Sequence, residues 1–193
     1  HNDARRQRQM CIRDRSSDIE EIIVKGEYRE KSLGEEDSSI GIIQSEQIKS
    51  QAIKHFQQLS HLVPNLNYAA SDSRARYFQI RGIGERSGYQ GTPNSSVGFL
   101  IDDIDYSGQG GIATLFDVDQ VEVFRGPQGS RSGANALAGL IYIKTKDPTE
   151  KFDGSSELTL GDYGTQNIGI AFGGPMQNKK LKYRLVLRTD YAD

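Results

Sequence analysis

Beyond Gly154, the chain alternates apolar residues with polar or small ones in three successive segments. In SSELTLGDY, Leu158 and Leu160 alternate with Glu157 and Thr159. In TQNIGIAFGG, Ile168, Ile170 and Phe172 alternate with Asn167, Gly169, Ala171 and Gly173. In LKYRLVLRTDY, Leu181, Tyr183, Leu185 and Leu187 alternate with Lys182, Arg184, Val186 and Arg188. A period of two places successive side chains on opposite faces of an extended chain, so these segments are read as strands with one apolar face. Short links, DYGT and GGPMQNKK, make neighbouring strands antiparallel. Two structures fit: a soluble sheet with one wet face, or a barrel wall with its apolar face to lipid and its polar face to a lumen. Tyr163, Tyr183 and Tyr191 sit near strand ends, where aromatic girdles lie in such walls. Alternation alone favours the soluble sheet, because the barrel signal is weak in each segment. Three strands also leave an open edge, which hydrocarbon does not tolerate; read as a barrel, they are its beginning.

The preceding residues have a different texture. Ile19 to Glu27 reads IEEIIVKGE, an acidic-then-apolar extended segment, and residues 28–38 are charged and aperiodic, as in a linker. Ser39 to Ile43 suits a short strand. One helix is expected next, with Ser45 as N-cap, Glu46 in the first turn, and Ile48, Ala52, Phe56 and Leu59 on one face until Pro64 stops it. Strands follow at YFQIR (77–81), VGFLID (97–102), QVEVF (120–124) and LIYIKT (140–145), separated by long glycine-rich loops. Loops of that length in a compact domain are usually functional or mobile. The expectation is a small α/β domain ending near Pro148.

Composition narrows the classes. The 193 residues have net charge −2, 35 % hydrophobic content and 21 glycines, which fits β-rich or loop-rich structure and offers no global field for nucleic acid. Residues 1–15 are locally basic, and their MCIRDR resembles translated adapter read-through, so residues 1–18 are expected to be a foreign or disordered leader. No apolar stretch follows it as a signal peptide requires, and no run of about 18 apolar residues encodes a transmembrane helix. The single cysteine, Cys11, allows no internal disulfide.

The block VEVFRGPQGSRSGANALAGLIYIKT (121–145) places Gly126, Gly129, Gly133 and Gly139 between two strands. A glycine-rich turn after a strand can cradle phosphate. GPQGSRSG, however, lacks the spacing and the lysine of a P-loop, and in RGIGERSG the third glycine, Gly88, comes one residue late for a dinucleotide fingerprint. The glycines, with Gly82 and Gly84, are therefore read as turn residues supplying positive φ or close backbone approach. Asp102, Asp103, Asp105, Asp117 and Asp119 have no EF-hand spacing and read as turn acids. His1, His55 and His61 form no ligand pattern with Cys11, so no metal, cofactor or catalytic residue is assigned.

Four pieces carry a resemblance. EEIIVKG (20–26) resembles a TonB box; LSHLVPNLNY (59–68), FQIRGIG (78–84) and VEVFRGPQGSRSGANALAGLIYIKTKDPT (121–149) resemble successive motifs of the plug domain of TonB-dependent outer-membrane transporters. The last is the longest and most specific. The resemblance implies an α+β plug with a small mixed sheet and short helices (39–150), preceded by a TonB-box segment and linker (19–38). It is followed by the start of an antiparallel transmembrane β-barrel (151–193). It implies no enzyme. Glu20, Glu21, Ile22, Ile23, Val24, Lys25 and Gly26 would be captured in the periplasm by the TonB–ExbB–ExbD complex, as an added strand. Arg81 and Arg125, with Glu122 nearby, would pair with barrel-wall carboxylates, since guanidinium stays charged and forks onto them. Glu85, Arg86, Tyr89, Gln90, Tyr106 and Gln109, in loops 82–96 and 106–116, would face a ferric siderophore, cobalamin or glycan. Outer-membrane lipid is the other implied partner. Two departures stand out: Arg131-Ser132 replaces the usual Leu-Tyr, and Lys25 stands where Thr is common. The rival readings are a soluble periplasmic ligand-binding module and a nucleotide-using enzyme.

Overall fold

The computed structural model describes residues 22–26, 31–35, 38–53, 55–70, 75–87, 94–109, 113–133, 135–162, 164–176 and 180–191. The chain divides into two compact units, residues 1–37 and 38–193. In the first, β1 (Ile23–Val24) pairs antiparallel with β2 (Lys31–Ser32), followed by a 3-10 turn at Leu33–Glu35. The expected linker thus contains a strand.

The second unit holds a five-stranded mixed sheet, a two-stranded ribbon and a three-stranded meander. The mixed sheet runs β3 (Ile40–Gln44), β8 (Val118–Arg125), β9 (Gly139–Thr145), β6 (Val97–Ile101), β7 (Ile104–Asp105). All pairs are antiparallel except β6–β9, which is parallel. The central strands β8 and β9 are buried on both faces, so LIYI carries no alternation, and in β8 Gln120 and Glu122 are buried along with the alternating Val121 and Val123. One face, with Val121, Val123, Ile141, Ile143 and Phe99, packs on Ile48, Phe56 and Leu59. There Phe56, Phe78 and Phe99 meet: Phe56 is edge-on to the other two at 5.0 and 5.1 Å, and those two stack at 5.6 Å. This edge-to-face geometry suits the ring quadrupoles. The ribbon, β4 (Leu66–Ala70) with β5 (Ala75–Ile80), supplies Phe78.

The single expected helix is two. α1 (Ser45–Ser50) is capped from Gln44 rather than Ser45, and α2 (Phe56–Leu59) is a separate turn. Between them Ala52 takes φ 51°, with Ala52 N–H donating to the Lys49 carbonyl and Ile53 N–H to the Ile48 carbonyl. This is a Schellman ending with alanine where glycine is usual. An alanine in that conformation costs about 1 kcal/mol or more. With the helix broken, Ile48, Phe56 and Leu59 are all buried while Ala52 stays exposed. Elsewhere, Asp102 and Asp103 both have positive φ in the two-residue turn joining β6 to β7, the backbone of a type I′ hairpin.

The meander is β10 (Asp153–Leu160), β11 (Gln166–Pro175) and β12 (Lys182–Tyr191), all antiparallel. β11 and β12 have 10 residues each, the length that spans a bilayer core as a tilted strand. Leu158, Leu160, Ile168, Ile170, Leu185 and Leu187 are all exposed on one face, whereas Gly169, Ala171 and Gly173 are buried on the other.

Candidate functional site

The buried face of the meander receives the mixed-sheet domain. Phe116 and Asp117 form the turn that leads into β8, with Asp117 at φ 62°. The Asp117 carboxylate accepts two hydrogen bonds from Arg184 of β12, Nε to Oδ2 and Nη2 to Oδ1, each 2.5 Å. Both side chains are buried, at 6 % and 2 % exposure for arginine and aspartate. A second carboxylate, Asp153 of β10, lies 3.6 Å from Arg184 Nη1. Beside this pair the Phe116 ring lies against the Cα of Gly169, where a Cβ would come within 2.9 Å of it, and Arg188 sits over the same ring at 5.8 Å. Gly169 and Arg188 are cross-strand partners, as are Gly173 and Arg184. Each inward arginine therefore has a glycine opposite, which leaves room for it. Next to this contact is a cavity of about 580 Å³ lined by both apolar and polar side chains, among them Ile48, Leu115, Phe116, Lys49, Lys146 and Glu157.

The residues expected to pair with a wall stand elsewhere. Glu122 is fully buried in β8 and accepts a hydrogen bond from Gln120 Nε2. Arg125 reaches the Ile40 carbonyl through Nη2 at 3.4 Å, and its Nε is buried with no hydrogen-bond partner among the described residues. Arg81 lies in an exposed turn at φ 54°, its N–H donating to the Asn65 carbonyl. Among the described residues these three make no ion pair with β10–β12.

The glycines separate into types. Gly84 has φ 150°, and a Cβ on it would lie 2.2 Å from the Phe78 carbonyl oxygen, so no other residue fits. Gly139 has ordinary φ, but a Cβ would lie 2.3 Å from the Phe124 carbonyl oxygen. Gly82, Gly126 and Gly133 have positive φ in open space. Gly129 shows neither requirement: it opens the short helix α3 (Gly129–Ser132) with free space around it. The departure at Arg131 has a local explanation. Its guanidinium pairs with Asp103 and lies 4.8 Å from the Tyr142 ring centroid, so it ties α3 to the β6–β7 turn. Burial pushes the Tyr142 phenol pKa up, and Asp103 adds to this. Asp102 accepts from the N–H and hydroxyl of Thr145 and pairs with Lys144, as a structural turn acid does.

The ligand-facing set contracts. Glu85 is buried, its carboxylate taking hydrogen bonds from Ser96 N–H at 2.9 Å and Ser96 Oγ at 2.6 Å. Tyr106 packs on the core. Both are turned into the fold because they tie loop 82–96 and the segment after β7 to the sheet. Arg86 and Gln109 are exposed; Tyr89 and Gln90 lie outside the described residues. In the TonB-box-like segment, Ile23 and Val24 are strand-paired and the chain bends at Gly26, while Glu20, Glu21 and the basic leader lie outside the described residues.

Comparison with known proteins supplies the family. The model of the TonB-dependent receptor plug domain matches residues 32–140, more than half of the chain. The chain belongs to the TonB-dependent receptors. Among curated relatives, the pesticin receptor of Yersinia pestis is 23 % identical over 173 residues, covering 89 % of this chain and 25 % of that protein. The ferripyoverdine receptor of Pseudomonas aeruginosa is 23 % identical over 139 residues, covering 72 % of this chain and 16 % of that protein. Among solved structures, the ferric yersiniabactin uptake receptor of Yersinia pestis superposes with a TM-score of 0.68 at 25 % identity, over 78 % of this chain and 24 % of that one. The ferripyoverdine receptor of Pseudomonas aeruginosa bound to ferripyoverdine gives 0.72 at 19 % identity, over 88 % and 22 %. The chain thus spans at most about a quarter of the length of these relatives. It is a plug domain with the opening strands of the outer-membrane barrel that surrounds it, and the family consists of receptors, not enzymes.

For this TonB-dependent receptor, sequence reasoning passed over Phe116, Asp117 and Arg184. Asp117 was one turn acid among five. The available signal was Arg184 and Arg188 on the inward side of an alternating strand, facing glycines: charge in a lumen needs a partner.

Proposed function

We propose that the chain is the gate and first wall of a TonB-dependent importer that carries a ferric siderophore across the outer membrane, with cobalamin or a glycan as the other substrate classes. The observation that carries this reading is the two-sided meander, apolar outward and seated on a plug inward. A soluble periplasmic module would leave Leu158 and Leu160, 66 and 72 % exposed, in water. The siderophore class is supported by relatives named for ferripyoverdine and ferric yersiniabactin. In this reading residues 39–150 are the plug and 151–193 the wall. Ligand contact through the loop residues releases the segment 20–26, a TonB-type protein takes it as an added strand, and the inner-membrane TonB–ExbB–ExbD complex supplies the energy. Arg81 and Arg125 meet carboxylates of the wider wall, with Glu122 in the same network. No catalytic residue or cofactor is needed, because the plug only has to move.

The test is accumulation of radioiron, presented as a panel of ferric siderophores, by cells carrying the full-length receptor. Uptake of at least one complex is expected, and deletion of residues 20–26 is expected to abolish it while leaving surface binding intact. Equal uptake without the segment would remove its role, and absence of binding across the panel would remove the siderophore class.

A further inference from the structure

The contact of Phe116 and Asp117 with the wall has the properties of a seating device. Asp117 sits at the root of the plug, next to its exit into the barrel: its carbonyl accepts the Lys146 N–H at 3.1 Å, and the chain then runs directly into β10. The Asp117–Arg184 pair closes a separation of 67 residues with both fork positions used. A buried pair of this kind adds little net stability over apolar packing, because desolvation offsets the attraction. It does fix orientation, since a shift of either partner leaves an uncompensated buried charge. The ring of Phe116 supplies the apolar half of the contact, held between the bare backbone of Gly169 and the guanidinium of Arg188. Arg188 is itself balanced by Asp190 at 3.0 Å, and the second carboxylate near Arg184 is Asp153. The wall therefore presents to one plug turn a shaped slot in which the Arg184 fork meets the Asp117 carboxylate. Its polarity is opposite to that expected of Arg81 and Arg125, in which the plug supplies the cation.

We propose that Asp117 and Arg184, with Phe116 in the Gly169–Arg188 slot, are positioning residues that seat the plug on the first barrel strands and keep the unstimulated pore closed. This rests on the reading of the chain as a gated importer. The experiment uses cells carrying the full-length receptor and measures passive entry of a large hydrophilic antibiotic, normalised to the amount of heat-modifiable, folded barrel at the surface. Asp117→Asn keeps the shape and the left-handed backbone preference but removes the charge. Arg184→Gln removes the other half. Each is expected to raise passive entry about tenfold, and the double variant to be no leakier than either single, because the two side chains act as one unit. Arg184→Lys, which keeps charge but loses the fork, is expected to fall between.

Gly169→Ala is the independent arm if a charge variant fails to assemble. It leaves the pair intact, forces a Cβ onto the Phe116 ring, and is expected to leak as well. Wild-type tightness in the singles and in Gly169→Ala would overturn the proposal, as would a double variant whose leak is the product of the singles. Iron uptake by the unchanged receptor is scored separately. Leaky variants in a receptor that imports no siderophore would leave the seating intact and remove the substrate reading. Import with tight variants would do the reverse.

Discussion

Gly84 and Gly82 lie two residues apart in one turn and differ in what they require. At Gly84 the backbone conformation and a carbonyl 2.2 Å from any Cβ both exclude a side chain. Gly84→Ala is therefore expected to cost about 3 kcal/mol or more. Gly82→Ala, at φ 81° in open space, is expected to cost only about 1 kcal/mol. Urea unfolding of the plug in the full-length receptor checks both, and equal costs would remove the steric argument. Gly139→Ala belongs with Gly84 for a different reason, since it places a methyl between β8 and β9 where the Phe124 carbonyl and Ile80 already touch the backbone.

Among the elements, the wall strands show how face decides tolerance. Leu158→Arg puts a charge on the outward face of β10 and is expected to cost about 2–4 kcal/mol near the membrane midplane. It should be visible as loss of the heat-modifiable folded species. Glu157→Gln, one residue away on the inward face, is expected to leave that species unchanged; equal damage from both would invalidate the assignment of faces. At the other end of the chain, β1 offers backbone groups as a strand. Ile23→Pro removes one donor and fixes φ, so capture by an isolated TonB C-terminal domain is expected to fall at least about tenfold, with ligand binding unchanged. Undiminished capture would mean that the partner reads side chains and not the strand.

On the scale of the whole molecule, two plug groups that titrate at high pH, Tyr142 and Lys144, are held in their protonated forms. Burial, with Asp103 close by, raises the Tyr142 phenol above its ordinary 10.0. Burial pulls Lys144 down, but the hydrogen bond to Asp147 and the charge of Asp102 outweigh it, and the net shift is upward from 10.5. In both cases the folded state holds the proton more tightly than the unfolded chain. The stabilisation is complete below the unfolded values and is lost as pH rises through the folded ones. Thermal unfolding of the plug is expected to be flat with respect to these groups from pH 7 to about 9 and to drop above about pH 10. Tyr142→Phe should flatten part of that drop, and an unchanged alkaline limb would show that the phenol is not responsible.

The sequence by itself determined the faces of β10–β12 and the strands β3, β5, β6, β8 and β9 to within a few residues. Each of these follows from geometry within a residue or two, since the pleat assigns a face by parity; what excludes a side chain at Gly139 is instead a distant contact, the Phe124 carbonyl and Ile80. Only the tertiary structure decided that β6 lies parallel to β9, that the helix breaks at Ala52 to bring Phe56 onto Phe78 and Phe99, that Glu85 points inward to Ser96, and that Asp117 finds Arg184. Those outcomes depend on which distant surfaces exclude water together. An aspartate in a turn carries the same local signal whether it faces solvent or a buried arginine 67 residues away. The difference is the free energy of burying both charges as a pair, and that is a property of the assembled wall and plug, not of either segment alone.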